Sequence, residues 1–152
     1  MKITDALLGE HGLFYAYFDI LAERINAADH GAARTLANAL DTLLRSHAKA
    51  EEDLLFPAME GQMGEVGPLA MMRQEHQEID RLLDEIAGAT DDSDVAPLLG
   101  ELLELIYSHF HKEEAVLFHM AEQFLDEATL LEMGRRWAGL RQVTLEAEGC
   151  AA

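Results

Sequence analysis

Histidine and glutamate stand four residues apart at two equivalent places in this chain. They are His47 and Glu51 in SHAKAEEDLLF (46–56), and His109 and Glu113 in SHFHKEEAVLF (108–118). Each pair is preceded by an isolated Glu-His, Glu10 with His11 and Glu75 with His76. An imidazole and a carboxylate one helical turn apart can bind a cation, pass a proton or bond to each other, and their neighbours decide which. A helix advances about 100° per residue, so positions three, four and seven apart share a face. His11 shares its face with Leu7, Leu8, Phe14, Phe18 and Ile25, and His47 with Leu36, Leu40, Leu43, Leu54 and Ala58. His76 lies with Leu69, Met72, Ile79 and Leu83, and His109 with Leu102, Leu105, Val116 and Met120. The spacing predicts one inward histidine on each of four helices, with Glu51 and Glu113 inward beside two of them.

A lone histidine on an apolar face is ordinarily a core residue bonded to a backbone carbonyl or a water. Two inward carboxylates change that balance, because a buried carboxylate costs several kcal/mol unless it has a positive partner. Arg73 and Lys112 only border the interior stripes and would leave the histidines unsatisfied. A metal centre satisfies all six groups at once. Nitrogen and oxygen donors without sulfur suit iron, manganese or zinc. One zinc ion takes about four ligands and leaves two surplus. Two ions sharing both glutamates as bridges use every donor. Of roughly twelve octahedral positions the six residues fill about eight and a bridging oxygen about two more, so the centre keeps positions open for a small molecule.

These residues need four long helices to carry them. Apolar residues recur every three or four positions with no strand-like alternation, so the chain reads as all-α. The expected architecture is an antiparallel up-and-down four-helix bundle with a short additional C-terminal helix. The first helix is expected from about Thr4, as N-cap, to about Asp29, with its stop at Gly31. The second runs from about Ala32 to Met59, ending in GQMGEVGP. The third starts with Pro68 in its first turn and ends near Ala87, and the fourth runs from about Asp94, with Pro97 in its first turn, to about Gln123. The bundle thus spans about 4–123. A C-terminal helix at about 126–146 offers Leu130, Leu131, Trp137, Leu140 and Val143 for packing, with a frayed tail after Glu146. The two helical hairpins read as a duplication within a single domain, 1–152.

Composition narrows the partners. The chain has 152 residues, 49% of them hydrophobic, and a formal net charge of −18 from 29 acidic and 11 basic residues. That charge repels nucleic acid and anionic lipid, and cations are the natural partners. The single cysteine, Cys150, excludes an internal disulfide or a cysteine metal site. The N-terminus MKITDALLGEHG lacks the apolar region of a signal peptide, and no apolar run approaches a membrane span, so the expectation is a soluble, cytoplasmic protein.

The order of His11, then HxxxE with a following Glu and Leu-Phe, then Glu-His, then HxxxE with a following Glu and Leu-Phe resembles the hemerythrin-like (HHE cation-binding) family, over nearly the whole chain from His11 to His119. The resemblance implies a four-helix bundle around a non-haem di-iron centre that binds dioxygen, or in some members reacts with peroxide or nitric oxide or senses iron and oxygen. It implies His11, His47, His76 and His109 as terminal ligands and Glu51 and Glu113 as carboxylate bridges, with an oxo or hydroxo group between the ions. Manganese and zinc stay compatible with the donor set. Oxygen carriers of this family have a second histidine four residues from the one on the third helix, where this chain has Met72 and Asp80. That departure favours redox turnover over reversible carriage, and makes Asp80 a candidate for the missing ligand or an outer acceptor. The ferritin-like pattern of Glu-x-x-His is absent. Tyr15, one turn beyond His11, is a candidate hydrogen-bond donor at the centre. His111, His119 and His30 read as surface or turn residues, and Glu52 and Glu114 as surface carboxylates paired with Lys49, Arg45 or Lys112. The expected function is binding, and possible turnover, of dioxygen, peroxide or nitric oxide, with no protein partner specified; the alternative is a non-catalytic module that binds iron or senses iron, oxygen or nitric oxide.

Overall fold

Aspartates set where the helices begin. In the computed structural model, which describes residues 1–63 and 67–145, Asp29 accepts from the Ala32 amide at 3.2 Å, Asp91 from Ser93 at 2.8 Å and Asp126 from Thr129 at 2.7 Å. Each satisfies an N–H that the first helical turn leaves free. The helices are α1 (Ile3–Asn26), α2 (His30–Ala50), α3 (Phe56–Met63), α4 (Pro68–Gly88), α5 (Asp92–Lys112), α6 (Phe118–Phe124) and α7 (Glu127–Arg141). One π-helical turn joins α2 to α3 (Glu51–Leu55) and another joins α5 to α6 (Glu113–Leu117). Among the described residues there is no strand, and the protein is all-helical, consistent with a bundle.

Several expected boundaries move, each because a nearby cap is better. Thr4 lies inside α1 and gives its hydroxyl to Glu122 at 2.7 Å, while Asp5 accepts from the backbone N–H of Lys2. α1 stops at Asn26, before Gly31, because Asp29 already caps the next helix and Ala28 turns the chain at φ 55°. His30 is therefore the first residue of α2. Asp91 starts α5 two residues earlier than expected, leaving Pro97 inside the helix. α7 ends at Arg141, where Gln142 adopts the left-handed conformation. Leu140 and Val143 are exposed, and Met133 and Ala138 are buried beside Leu130 in their place. Cys150, the tail after Glu146 and residues 64–66 of the GQMGEVGP segment lie outside the described residues.

The buried apolar side chains form two clusters. One gathers Phe14, Phe18, Leu40, Leu82, Ile86, Leu99, Ile106 and Phe110. The other gathers Leu7, Leu55, Phe56, Met59, Leu69, Met72, Leu117, Phe118, Leu130 and Met133. Fully burying each such side chain contributes about 1.5–3 kcal/mol. A buried polar layer lies between them. His11 stacks on Phe110 of the first cluster (ring centroids 3.8 Å apart) and tilts against Phe118 of the second at 5.5 Å, while His76 stacks on Phe56 at 5.8 Å.

The π turns correct the predicted inward stripe. A π turn holds one residue more than an α turn and rotates everything after it by about 100°. Val116, expected inside, is 49% exposed, while Leu117 and Phe118 are buried in its place. Leu8 and Leu43, at the margins of their stripes, are also exposed. α7 lies close against the start of the chain, where a side chain at Gly134 would meet the carbonyl oxygen of Met1.

Candidate metal centre

The polar layer consists of His11 from α1, His47 from α2, Glu51 at the first residue of the first π turn, His76 from α4, His109 from α5, and Glu113 at the first residue of the second π turn. All six are buried, with Glu51 and Glu113 fully so. They fall into two groups whose donor atoms lie within 4.8 Å of one another: His11, His47, Glu51 and Glu113, and His76, His109, Glu51 and Glu113. The glutamates belong to both because each faces one oxygen to each group. Glu113 sets Oε2 3.3 Å from His11 Nε2 and Oε1 3.0 Å from His109 Nε2. Glu51 sets Oε1 3.6 Å from His47 Nε2 and Oε2 3.3 Å from His76 Nε2.

The outer ring nitrogens decide what the inner ones can do. Every Nδ1 meets a carboxylate: His11 that of Glu114 at 2.8 Å, His47 that of Glu10 at 2.7 Å, His76 that of Glu52 at 2.8 Å, and His109 that of Glu75 at 2.9 Å. An ionised carboxylate only accepts, so each Nδ1 carries a proton, and a ring in its neutral form then turns a bare Nε2 inward. Those lone pairs face each other in couples, His11 with His47 and His76 with His109, each at 3.1 Å. Two bare nitrogens at that distance repel unless a cation lies between them. About 3 Å is also the separation of neighbouring ligands bonded at roughly 2.1 Å to one ion.

The carboxylate oxygens carry the same message. All four oxygens of Glu51 and Glu113 are buried without a hydrogen-bond donor, an arrangement costing about 1–3 kcal/mol for each unsatisfied group and more when charged. Without a cation the layer must take up protons instead. Burial, reinforced by the neighbouring Glu113 charge, pushes the Glu51 carboxyl well above the ordinary range. Burial acts upward on Glu113 too, but His109 and His11 outweigh it and hold Glu113 well below that range. Burial likewise works against the charged form of His109, yet Glu113 raises it. Two carboxylates in one dry site are driven apart in this way. The donor set thus fits a pair of hard or borderline cations.

The outer carboxylates, read from the sequence as surface groups or not singled out, are the members of the site that spacing missed. Glu114 accepts from both His11 and the Tyr15 hydroxyl (2.9 Å), so Tyr15 acts on the outer carboxylate. Glu75 is held by Lys112. Glu10 is held by Arg141, through Nε to Oε1 at 2.6 Å and Nη2 to Oε2 at 3.3 Å. Glu52 is the most exposed of the four. The available signal was the doubling itself: an acidic residue adjoins four of the six inward groups, in Glu10-His11, Glu51-Glu52, Glu75-His76 and Glu113-Glu114, while His47 and His109 have none beside them.

Asp80 stands outside the six-donor layer, half-exposed and paired with Arg45 at 2.9 Å, and Arg45 also bonds Asp41 and Asp84. Met72 is buried in the second apolar cluster. A cavity of about 10 Å³ opens beside Leu44, Ile79, Asp80 and Phe110 onto His47, His76 and His109, room for about one water-sized molecule. Phe14, Phe110, Phe56 and Phe118 wall the layer with apolar surface. His111 and His119 are exposed and away from it. Among the described residues no helix is long and apolar enough to cross a membrane.

The family model for the hemerythrin HHE cation-binding domain matches residues 2–121. The chain is 32% identical over 115 residues to the iron-sulfur cluster repair protein YtfE of Enterobacter sp. (strain 638), covering 65% of this chain and 52% of that protein. It is 30% identical over 122 residues to the protein of the same name from Musicola paradisiaca (strain Ech703), covering 67% and 54%. The chain therefore spans about half the length of the curated relatives it matches. No solved structure matches it.

Proposed function

Given that the chain belongs to the hemerythrin HHE cation-binding family, we propose that it is a cytoplasmic non-haem di-iron protein, folded as one antiparallel up-and-down bundle with α7 appended, that binds a small oxidant. His11 and His47 would hold one iron and His76 and His109 the other, with Glu51 and Glu113 shared between the two groups. The observation that carries this reading is the pairing of facing imidazole Nε2 atoms with four buried carboxylate oxygens that have no hydrogen-bond partner. Iron bound there would supply one-electron redox chemistry toward dioxygen, peroxide or nitric oxide.

The protein's own contribution is orientation, dryness and proton control. The outer carboxylates fix the orientation of each ring and hold the proton on its Nδ1. The phenylalanine walls and the narrow cavity keep bulk water and larger molecules out. Tyr15 and Glu114 form a short hydrogen-bonded path that holds a proton next to His11. With Met72 in apolar packing and Asp80 tied to Arg45, the two halves supply equal ligand sets. Equal, incomplete sets favour exchange and turnover over end-on carriage.

A second reading is favoured by the relatives named for iron-sulfur cluster repair: a module that holds iron for another reaction or senses iron or nitric oxide. Anaerobic loading with ferrous iron, followed by exposure to oxygen, tests the primary one. Two irons per chain and new charge-transfer absorption are expected, and a colourless product with less than one iron per chain overturns it. Iron that binds in pairs but meets peroxide and nitric oxide without turnover, while changing helicity, selects the second reading.

A further inference from the structure

We propose that α7, which lies beyond the family-matched residues, is a positioning element for one half of the centre: through Arg141 and Glu10 it fixes His47, so that retention of the ion at His11 and His47 depends on α7 while retention of the other ion does not. The inference rests on the di-iron reading and adds an inequivalence that the ligand sets alone do not contain.

One guanidinium ties three helices together. Arg141 of α7 makes its forked contact with Glu10 of α1, and at the same time gives Nη1 to the Ser46 hydroxyl at 2.8 Å and Nη2 to the Ser46 carbonyl at 3.1 Å on α2. Ser46 immediately precedes His47. Arg141 and Glu10 are both mostly buried, at 19% and 16% exposure. In that setting a planar fork fixes direction as well as charge. Glu10 Oε2, which Arg141 touches, is also the oxygen that accepts from His47 Nδ1.

The other half is built differently. Its equivalent carboxylate, Glu75, is held by Lys112, which sits on α5 with His109 itself. That half therefore carries its own clamp on its own helix, and Lys112 is a point charge without the planar fork. Glu52, the remaining outer carboxylate there, makes no other hydrogen bond among the described residues. α7 delivers Arg141 accurately because Leu130 and Met133 anchor it in the second cluster, Gly134 allows the close approach to Met1, and Trp137 lies under the guanidinium at 5.8 Å.

The test loads the full chain with cobalt(II) and follows ion release to a chelator in wild type, Arg141→Ala and Arg141→Lys. Outer groups of this kind are worth about 10–100-fold in metal affinity. Arg141→Ala is expected to release one of its two ions about 10–100-fold faster and the other at the wild-type rate, with helix content retained and partial rescue in Arg141→Lys. Equal acceleration of both ions, or of neither, overturns the proposal. A second readout needs no metal: long-range ¹⁵N NMR of the metal-free protein should show His47 losing its Nδ1–H preference in Arg141→Ala while His109 keeps it. If the wild type holds fewer than two ions the di-iron reading fails, and the NMR result alone then decides the clamp, an unchanged His47 refuting it.

Discussion

Replacing Glu51 by methionine should raise the stability of the metal-free protein and lower that of the iron-loaded one. Glu51 is fully buried, its oxygens have no donor, and Glu113 stands beside it in the same dry layer. Methionine has a similar volume, so no cavity opens, and it removes the desolvated carboxyl. Exchanging buried ionic groups for apolar ones of like size gains about 1–4 kcal/mol in comparable cases. Taking about 2 kcal/mol, and about 2–4 °C of Tm per kcal/mol for a chain of this size, the metal-free variant should melt about 4–8 °C above wild type. In excess iron the order inverts. A ligand present at about 100 times its Kd stabilises by about 2.7 kcal/mol per site, and a variant lacking a bridge forfeits much of that from both sites. Thermal melts followed by circular dichroism, with chelator and with ferrous iron under anaerobic conditions, read both halves of the prediction. A metal-free variant that melts below wild type would show that Glu51 is not an uncompensated burden, and a variant that keeps two irons would show that it is not a bridge.

Glu113→Met should behave oppositely in the metal-free state, losing about 1–3 kcal/mol, because Glu113 is the anion that His109 and His11 hold ionised; the same melts compare the two variants. Iron affinity should rise with pH, since the metal must displace the proton on Glu51, whose folded-state pKa lies above its unfolded value, and the proton on His109. By the same sign, the contribution of Glu51 to metal-free stability is complete in acid and is lost as pH rises through the raised pKa; competition titrations below and above neutrality measure the affinity, and an affinity independent of pH refutes the assignment. Phe56→Ala should cost about 3–5 kcal/mol, or roughly 6–20 °C, because Phe56 is fully buried and stacks on His76. Gly134→Ala should cost about 1–3 kcal/mol by pushing the first residues off α7, a loss read by the same thermal melts.

The inner layer was legible because its signal is local. His47 and Glu51 on one helical pitch, repeated at His109 and Glu113, need only the 3.6-residue period to be placed on one face, and the helices themselves follow from the same period. The outer carboxylates were not legible, because each meets its histidine across a helix pair: Glu10 from α1 on His47, Glu52 on His76, Glu75 from α4 on His109, Glu114 on His11. Standing one residue from an inward group, they lie about 100° off the stripe, which is where surface charges also lie. What separates the two is the need of each inward ring for an acceptor at its second nitrogen, a demand that spacing does not express. Arg141 was further out of reach, because its contact depends on how α7 docks.

The π turns tie the two layers together. In a continuous α-helix, residues three and four beyond Glu51 would share its face, and the acidic neighbour Glu52 would point away with its own stripe. The widened turn begins at the inward glutamate itself in both halves, at Glu51 and at Glu113. The chain before it is set by the histidine, and the end of the turn with the residue that follows, Leu54 to Phe56 and Leu117 to Phe118, closes the second apolar cluster. The extra residue lets one helix present a carboxylate to the centre, its neighbour to a histidine of an adjacent helix, and an unbroken apolar run to the core immediately afterwards. A π turn is less favourable than the α turn it replaces, and its presence at both equivalent positions locates the local cost of the fold at the centre it serves.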